Sequence, residues 1–428
     1  MLNFIKKKFF FIKLIFCFLT SILVYLSFRI HLINDINIKV TVTFLIIQFI
    51  VWSVLYFDKR GIKSLVFYNL FIVVILNFIL TPIFHLLTFD VPIRQPNYSI
   101  TKKYDGDFFK GMFSGTHFIS SDEKGYRTNK KINYEIKNNE TLRIFTIGGS
   151  TTEEGTTDDQ KTWSSLLGSK LEKKNKKEVE VINAGMAGLR TEHHYITLKR
   201  IKKYKPDVVI FMTGINDWNY HIVKSEFKYL IPNIEIKYDI KKSLLGKIYR
   251  NIVKQINRKI IKNKEKPFNT VNAETDTEMY LLPQIDSLNK REYTKEFRPK
   301  KISDDYRHWI HLIVNECNKN IFTCIFLEQP TAYSENISDK LMRRLWMTPP
   351  NQSYTLSLQD LIHISTIYNN WLKNIITKNK LNFVILSNKI EPNTQYLTDD
   401  CHFSEKGSEA VSDAIVEYMN LSLKSILN

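Results

Sequence analysis

Two kinds of apolar pattern divide the chain. Over residues 9–30, 40–57 and 65–89 apolar side chains run almost unbroken, each run close to the roughly 20 residues that cross a bilayer core. Only Lys13 and Arg29 interrupt the first run, and both lie near enough to its ends for their charges to reach the interface. Three membrane-spanning helices are therefore expected in residues 1–90. A cleaved signal peptide is the competing reading of residues 1–30; the two runs that follow and the lack of an Ala-x-Ala-like site speak against it. Lys6, Lys7 and Lys8 precede the first run and Lys59, Arg60 and Lys63 follow the second, whereas the first loop holds Lys39 beside Asp35. The positive-inside rule then puts the amino terminus in the cytoplasm and everything after about Asp90 outside it.

Beyond that point the pattern changes. Residues 91–140 are polar with scattered aromatics, a connector in which the stretch SSDEKGYRT, Ser120 to Thr128, has turn chemistry. From 141 to 428, short runs apolar on both faces alternate with stretches of helical period. LRIFTI (142–147), VEVINAG (179–185), PDVVIFMTG (206–214), FTCIFLEQP (322–330) and LNFVILS (381–387) predict strands. Residues 162–173, 192–204, 305–318, 358–377 and 404–423 predict helices. Strands of this kind belong in a parallel sheet covered on both sides, which predicts one α/β domain of about five strands. Residues 218–303 interrupt it as an insertion. There Ile240, Leu244, Ile248, Ile252, Ile256 and Ile260 recur every fourth residue among lysines and arginines. That is the pattern of a basic amphipathic helix that lies on a membrane, caps the domain as a lid, or packs as an ordinary surface helix.

Composition changes this picture little. The net charge of +18 would suit a nucleic-acid partner, but the lysines are spread along the chain without a DNA- or RNA-binding motif, so no nucleic-acid partner is expected. A chain of 428 residues can bury a core without metal or disulfide. Cys17, Cys317, Cys324 and Cys401 show no Cys-x-x-Cys spacing, which excludes a zinc framework; Cys317 and Cys324 could pair if the domain faces an oxidising compartment.

Ligands of a doubly wound sheet bind beyond the carboxyl ends of its strands. The first strand ends in Gly148, Gly149 and Ser150, the second in Asn183, Ala184 and Gly185, and the third in Gly214, Ile215, Asn216 and Asp217. After the last come Asp399, Asp400, Cys401 and His402. Acyl transfer needs this set of groups: a hydroxyl (Ser150), a base of suitable pKa (His402), a carboxylate to hold the base's tautomer (Asp399), and donors for the oxyanion. The backbone amides of Ser150 and Gly185 and the side chain of Asn216 are the expected oxyanion donors. Phosphate binding at the glycine turn is excluded, since GGSTTEEG lacks the P-loop lysine and Glu153 and Glu154 would repel the anion. His193 with His194, and His308 with His311, lack a third ligand by sequence and are expected as surface histidines, so neither metal nor cofactor is expected.

In this order the blocks GGST (Ser150), NAG (Gly185), TGIND (Asn216) and DDCH (Asp399, His402) resemble those of the SGNH hydrolase superfamily, the GDSL-type esterases, over residues 142–419. DEKGYRT resembles the lead-in of many members, whereas Gly149 stands where the family often has Asp. The resemblance implies a flavodoxin-like three-layer α/β/α domain over residues 141–428, and a membrane-anchored serine esterase. Its expected substrate is an acyl ester, most simply acetyl, on an extracytoplasmic glycan or lipid. Two alternatives stay open: an O-acetyltransferase of envelope glycans using the same groups, with a membrane acyltransferase as candidate partner, and a non-catalytic glycan-binding or assembly component. Binding alone has no need of a hydroxyl with its base. Spacing favours Asp399 as the carboxylate on His402, with Asp400 the rival.

Overall fold

A computed structural model of the chain describes residues 93–104, 109–138, 140–175, 177–227, 270–272, 297–342, 344–345 and 356–427. The three expected membrane spans and the basic amphipathic helix of the insertion lie outside these residues. Among the described residues no helix is long and apolar enough to cross a membrane.

The described elements are, in chain order, β1 (Ser99–Tyr104), β2 (Gly115–Ser120), β3 (Leu142–Gly148), α1 (Ser150–Glu153), α2 (Trp163–Asn175), β4 (Val179–Asn183), α3 (Thr191–Ile201) and β5 (Val208–Met212). There follow α4 (Ile215–Phe227), β6 (Thr270–Asn272), α5 (Asp304–Lys319), β7 (Thr323–Leu327), α6 (Leu358–Lys378), β8 (Asn382–Val384) and α7 (Glu405–Ser422). Every strand and helix predicted from the apolar pattern of the α/β domain, over residues 142–214 and 305–423, is present, with ends moved by a few residues.

Five strands form one parallel sheet in the order β4-β3-β5-β7-β8. This is the flavodoxin-like order, and its switch point, where the connections reverse direction, lies between β3 and β5. Both of those strands are buried along their whole length. Alternate side chains face opposite layers. Phe145, Ile147, Val209, Phe211 and Phe326 pack with Leu198 and Ile201 of α3, Ile310 and Ile313 of α5, and Tyr368 and Leu372 of α6. Ile144, Val208, Ile210, Met212, Ile325 and Leu327 pack with Trp163, Leu167 and Leu171 of α2 and with Val411, Ile415 and Met419 of α7. Each such side chain contributes about 1.5–3 kcal/mol on burial, which fixes strand register on both faces at once.

The helix starts are set locally. Ser303, Ser357 and Ser404 cap α5, α6 and α7, each hydroxyl accepting an amide hydrogen three residues on. The last of these caps holds the start of the helix that follows His402.

Residues 93–138 are more than a polar link. β1 and β2 form an antiparallel hairpin, and β6 from the insertion adds to β1 in parallel, making a second sheet of order β2-β1-β6. Tyr104, Phe109, Met112 and Phe113 form a small apolar cluster beside it. The Tyr104 hydroxyl donates to Thr156 O at 2.6 Å and Lys102 Nζ to Gly155 O at 3.2 Å, so the hairpin lies against the loop that follows α1.

Cys317 and Cys324 form a disulfide between the end of α5 and the start of β7, with Cα atoms 5.9 Å apart, within bridging range. Cys401 is a free, buried thiol. The expectation of surface histidines fails at His194, which is 1% exposed on the inner face of α3, where burial brings its imidazole down to about 3.

Candidate active site

The site begins with two glycines that no other residue could replace without displacing a neighbour. A Cβ on Gly148 would stand 2.0 Å from Thr152 Oγ1 and 2.6 Å from Met212 O. One on Gly149 would stand 2.6 Å from Asn216 Nδ2. Bare backbone lets α1 fold back over the end of β3 and lets the Asn216 amide close over Gly149, next to Ser150. Ser150 is the first residue of α1, so its amide has no acceptor within the helix.

The loop after β8 brings the rest. His402 Nε2 lies 2.7 Å from Ser150 Oγ, across 252 positions of sequence. On the other side of the ring, Nδ1 lies 2.7 Å from Asp399 Oδ2 and 2.9 Å from Oδ1. Asp399 Oδ1 also accepts the backbone amides of Cys401 and His402, each at 3.0 Å, so one carboxylate folds its own loop and fixes the imidazole. Of the two acids in this block, Asp399 is the one at the ring. Asp400 is fully buried and accepts from the Tyr333 hydroxyl at 2.8 Å, while Asp399 meets the ring.

Electrostatics follow from this contact. Burial opposes ionisation of Asp399, but the adjacent imidazole and the amides of Cys401 and His402 overcome it and bring the acid down to about 2. Burial likewise opposes the imidazolium, and the Asp399 charge outweighs it, so His402 is raised well above the usual histidine value. The His402 side chain is still 27% exposed and that of Asp399 17%, so the relay opens to solvent.

Of the three expected oxyanion donors, Asn216 lies against Gly149, the residue before Ser150. Asn216 Nδ2 donates one hydrogen to Leu189 O at 2.9 Å and has a second to offer. Gly185 is turned elsewhere: its amide donates to Asn183 Oδ1 at 2.9 Å. Its backbone is pressed against α1, for a Cβ there would lie 2.6 Å from Glu153 N.

Several residues that sequence reasoning passed over hold this frame. Asn183 Nδ2 donates to Thr152 O at 2.6 Å and to Ser164 Oγ at 3.0 Å, tying β4 to α1 and α2. Arg127, 3% exposed, donates to the carbonyls of Glu153, Glu154 and Thr157 and pairs with Asp159 at 2.6 Å, so a single guanidinium holds the loop after α1. It belongs to the GYR lead-in, the one signal in the sequence that pointed to it. Glu153 accepts from Arg94 and from the amide of Ala187. Asp217 accepts from the amide and hydroxyl of Thr191 and so fixes the start of α3; burial pushes its carboxyl up to about 7.

Asp399, Cys401 and His402 place one candidate ligand atom each within 4.8 Å of one another. Both ring nitrogens of His402 are engaged, by Asp399 and by Ser150, and the Cys401 thiol is pushed up to about 11 by burial. The set is disposed for proton transfer to and from a hydroxyl, the requirement of ester chemistry at serine.

No curated protein matches the chain. Among solved structures, a GDSL-like lipase from Bacteroides thetaiotaomicron is 13% identical, with a TM-score of 0.36, over 68% of this chain and 93% of its own. An acetylxylan esterase from Geobacillus stearothermophilus is 16% identical, TM-score 0.34, over 66% and 95%. A member of the lipolytic G-D-S-L family from Veillonella parvula is 11% identical, TM-score 0.33, over 65% and 98%. The assignment rests on sequence: the family model of GDSL-like lipases and acylhydrolases matches residues 146–410, a span that contains all five expected site residues. The chain therefore belongs to the GDSL-like lipase/acylhydrolase family and is an ester-bond hydrolase.

Proposed function

We propose that the protein is a membrane-anchored serine esterase that removes an acyl group, most simply acetyl, from an extracytoplasmic polysaccharide or lipid, with Ser150 as nucleophile, His402 as base and Asp399 as its orienting carboxylate. The observation that carries this reading is the unbroken contact from Asp399 through His402 to Ser150 Oγ, at 2.7 Å on both sides of the ring. As Ser150 Oγ attacks the ester carbon, His402 Nε2 takes its proton and Asp399 stabilises the imidazolium. The oxyanion meets the Ser150 amide and the second hydrogen of the Asn216 amide; Gly185 joins them by turning its amide away from Asn183. The intermediate collapses, His402 protonates the departing alcohol, and water repeats the sequence to release the acid.

Purified full-length chain offered p-nitrophenyl acetate should lose at least about 10³-fold in kcat on Ser150→Ala, with folding unchanged. Equal rates in the two proteins would refute the assignment.

Membrane anchoring is supported by the three apolar runs of residues 1–90, and the extracytoplasmic side by the flanking cations and by the pairing of Cys317 with Cys324, since disulfides persist in oxidising compartments. A reporter enzyme active only in the cytoplasm, fused to the carboxyl terminus, should be silent; strong activity there would reverse the topology.

A further inference from the structure

The carboxyl group of Glu154 takes no part in the relay, yet it joins the two segments that carry it. Glu154 is 4% exposed. Its Oε2 accepts the Trp163 amide at 2.6 Å, and its Oε1 meets the hydroxyl of Ser408. Ser408 stands on the first turn of α7, which begins just after His402. On the other side Glu154 closes α1: its amide donates to Ser150 O at 2.8 Å. Its main chain has a φ of 50°, a left-handed conformation that a residue with a side chain keeps only when its surroundings hold it there. One side chain thus bridges the helix of the hydroxyl and the helix behind the imidazole.

The protons decide its state. Ser408 Oγ lies 3.0 Å from Ser404 O and within bonding range of Glu154 Oε1. A hydroxyl has one hydrogen to give, and a carbonyl has none. To satisfy both contacts, a second proton must come from the carboxyl. We propose that Glu154 is a positioning residue that works as a neutral acid: it donates to Ser408 Oγ, holds Ser150 and His402 in register, and loosens the site when it ionises.

This rests on the reading of Ser150 as nucleophile and His402 as its base. Burial pushes the carboxyl up to about 8, so the neutral form prevails at pH 7. The charged groups facing it are Arg127 from the connector and His402 from the loop after β8, both of which favour its ionised form. Arg127 is paired with Asp159; beyond it, Lys161 and His117 are paired with Glu405 of α7.

The test is the rate at which a fluorophosphonate labels the purified full-length chain from pH 6 to 9.5, which requires no knowledge of the substrate. Wild type should fall about tenfold from its plateau by pH 9, the loss expected for an essential acid of pKa about 8. Glu154→Gln, whose amide donates to Ser408 as the neutral acid does, should label within about threefold of wild type at pH 7 and show no alkaline fall up to pH 9. Glu154→Ala should be slow throughout. A wild-type profile with no alkaline fall overturns the proposal without any variant, and so does an alkaline fall that Glu154→Gln leaves in place. Labelling that persists in Ser150→Ala would instead overturn the assignment of the nucleophile, so the two failures are separable.

Discussion

Each end of the parallel sheet carries a buried arginine, and the two do different things. At the carboxyl end, Arg127 gathers three carbonyls and Asp159 from the loop after α1. At the amino end, Arg143, 1% exposed, pairs with Glu180 at 2.6 Å and donates to the carbonyls of Tyr204 and Asn133. Both satisfy backbone groups that would otherwise be buried unpaired. Their surroundings differ. Arg127 holds the loop that follows Ser150 and faces the Glu154 carboxyl, which is shifted from its ordinary value; Leu142, the chain neighbour of Arg143, edges a cleft of about 250 Å³ with Pro206 and the exposed Ile321. Burial of charge therefore does not by itself mark a site. What marks it is charge held against groups that can exchange protons, where strands end and the chain reverses.

The comparison is broken most severely at the relay itself. Asp399→Asn should lower kcat by about 10⁴, because the amide holds the wrong imidazole tautomer. It should also move the acid limb. His402 must be neutral to act, and with Asp399 in place its pKa is raised well above 6.5, so activity rises only as pH passes that raised value. Removing the charge shifts the limb to lower pH, as a kcat/KM profile would show. Asp400→Asn should leave both rate and limb nearly unchanged, since Asp400 bonds Tyr333 instead. Equal damage from the two variants would contradict the assigned geometry.

The arginines sharpen the contrast at a smaller scale. Arg127→Ala strands the buried Asp159 carboxylate and should cost about 3–5 kcal/mol in denaturant unfolding, and Arg143→Ala, which strands the partly exposed Glu180, should cost less. Activity per folded molecule should separate them: down by up to about 100-fold for Arg127→Ala, through displacement of the loop after Ser150, and within about twofold for Arg143→Ala. Matching losses would mean that the two ends are not functionally distinct.

The strands and helices were legible because apolar side chains announce burial through their period, and the contact of Ser150, His402 and Asp399 was legible because these residues follow the first and last strands of one parallel sheet. Polar burial announces nothing comparable. Glu154 follows Glu153 directly, and two acids in a row read as a solvated turn; their difference depends on Ser408, 254 residues away. The turn-like SSDEKGYRT hid the guanidinium of Arg127, which reads as one more cation in a chain with 61 lysines and arginines. The hairpin of residues 99–120 escaped the pattern as well, because its first strand is mostly half-exposed and its pairing with β6 joins segments about 170 residues apart. Gly185 follows β4, as its place in the sequence implies, but the direction of its amide depends on the Asn183 side chain, which no spacing rule describes.

The separation of Ser150 from His402 bears on biosynthesis. A chain leaving the ribosome exposes the Ser150 hydroxyl some 250 residues before the imidazole that meets it in the fold. A nascent chain that stops short of residue 402 holds the hydroxyl without that partner.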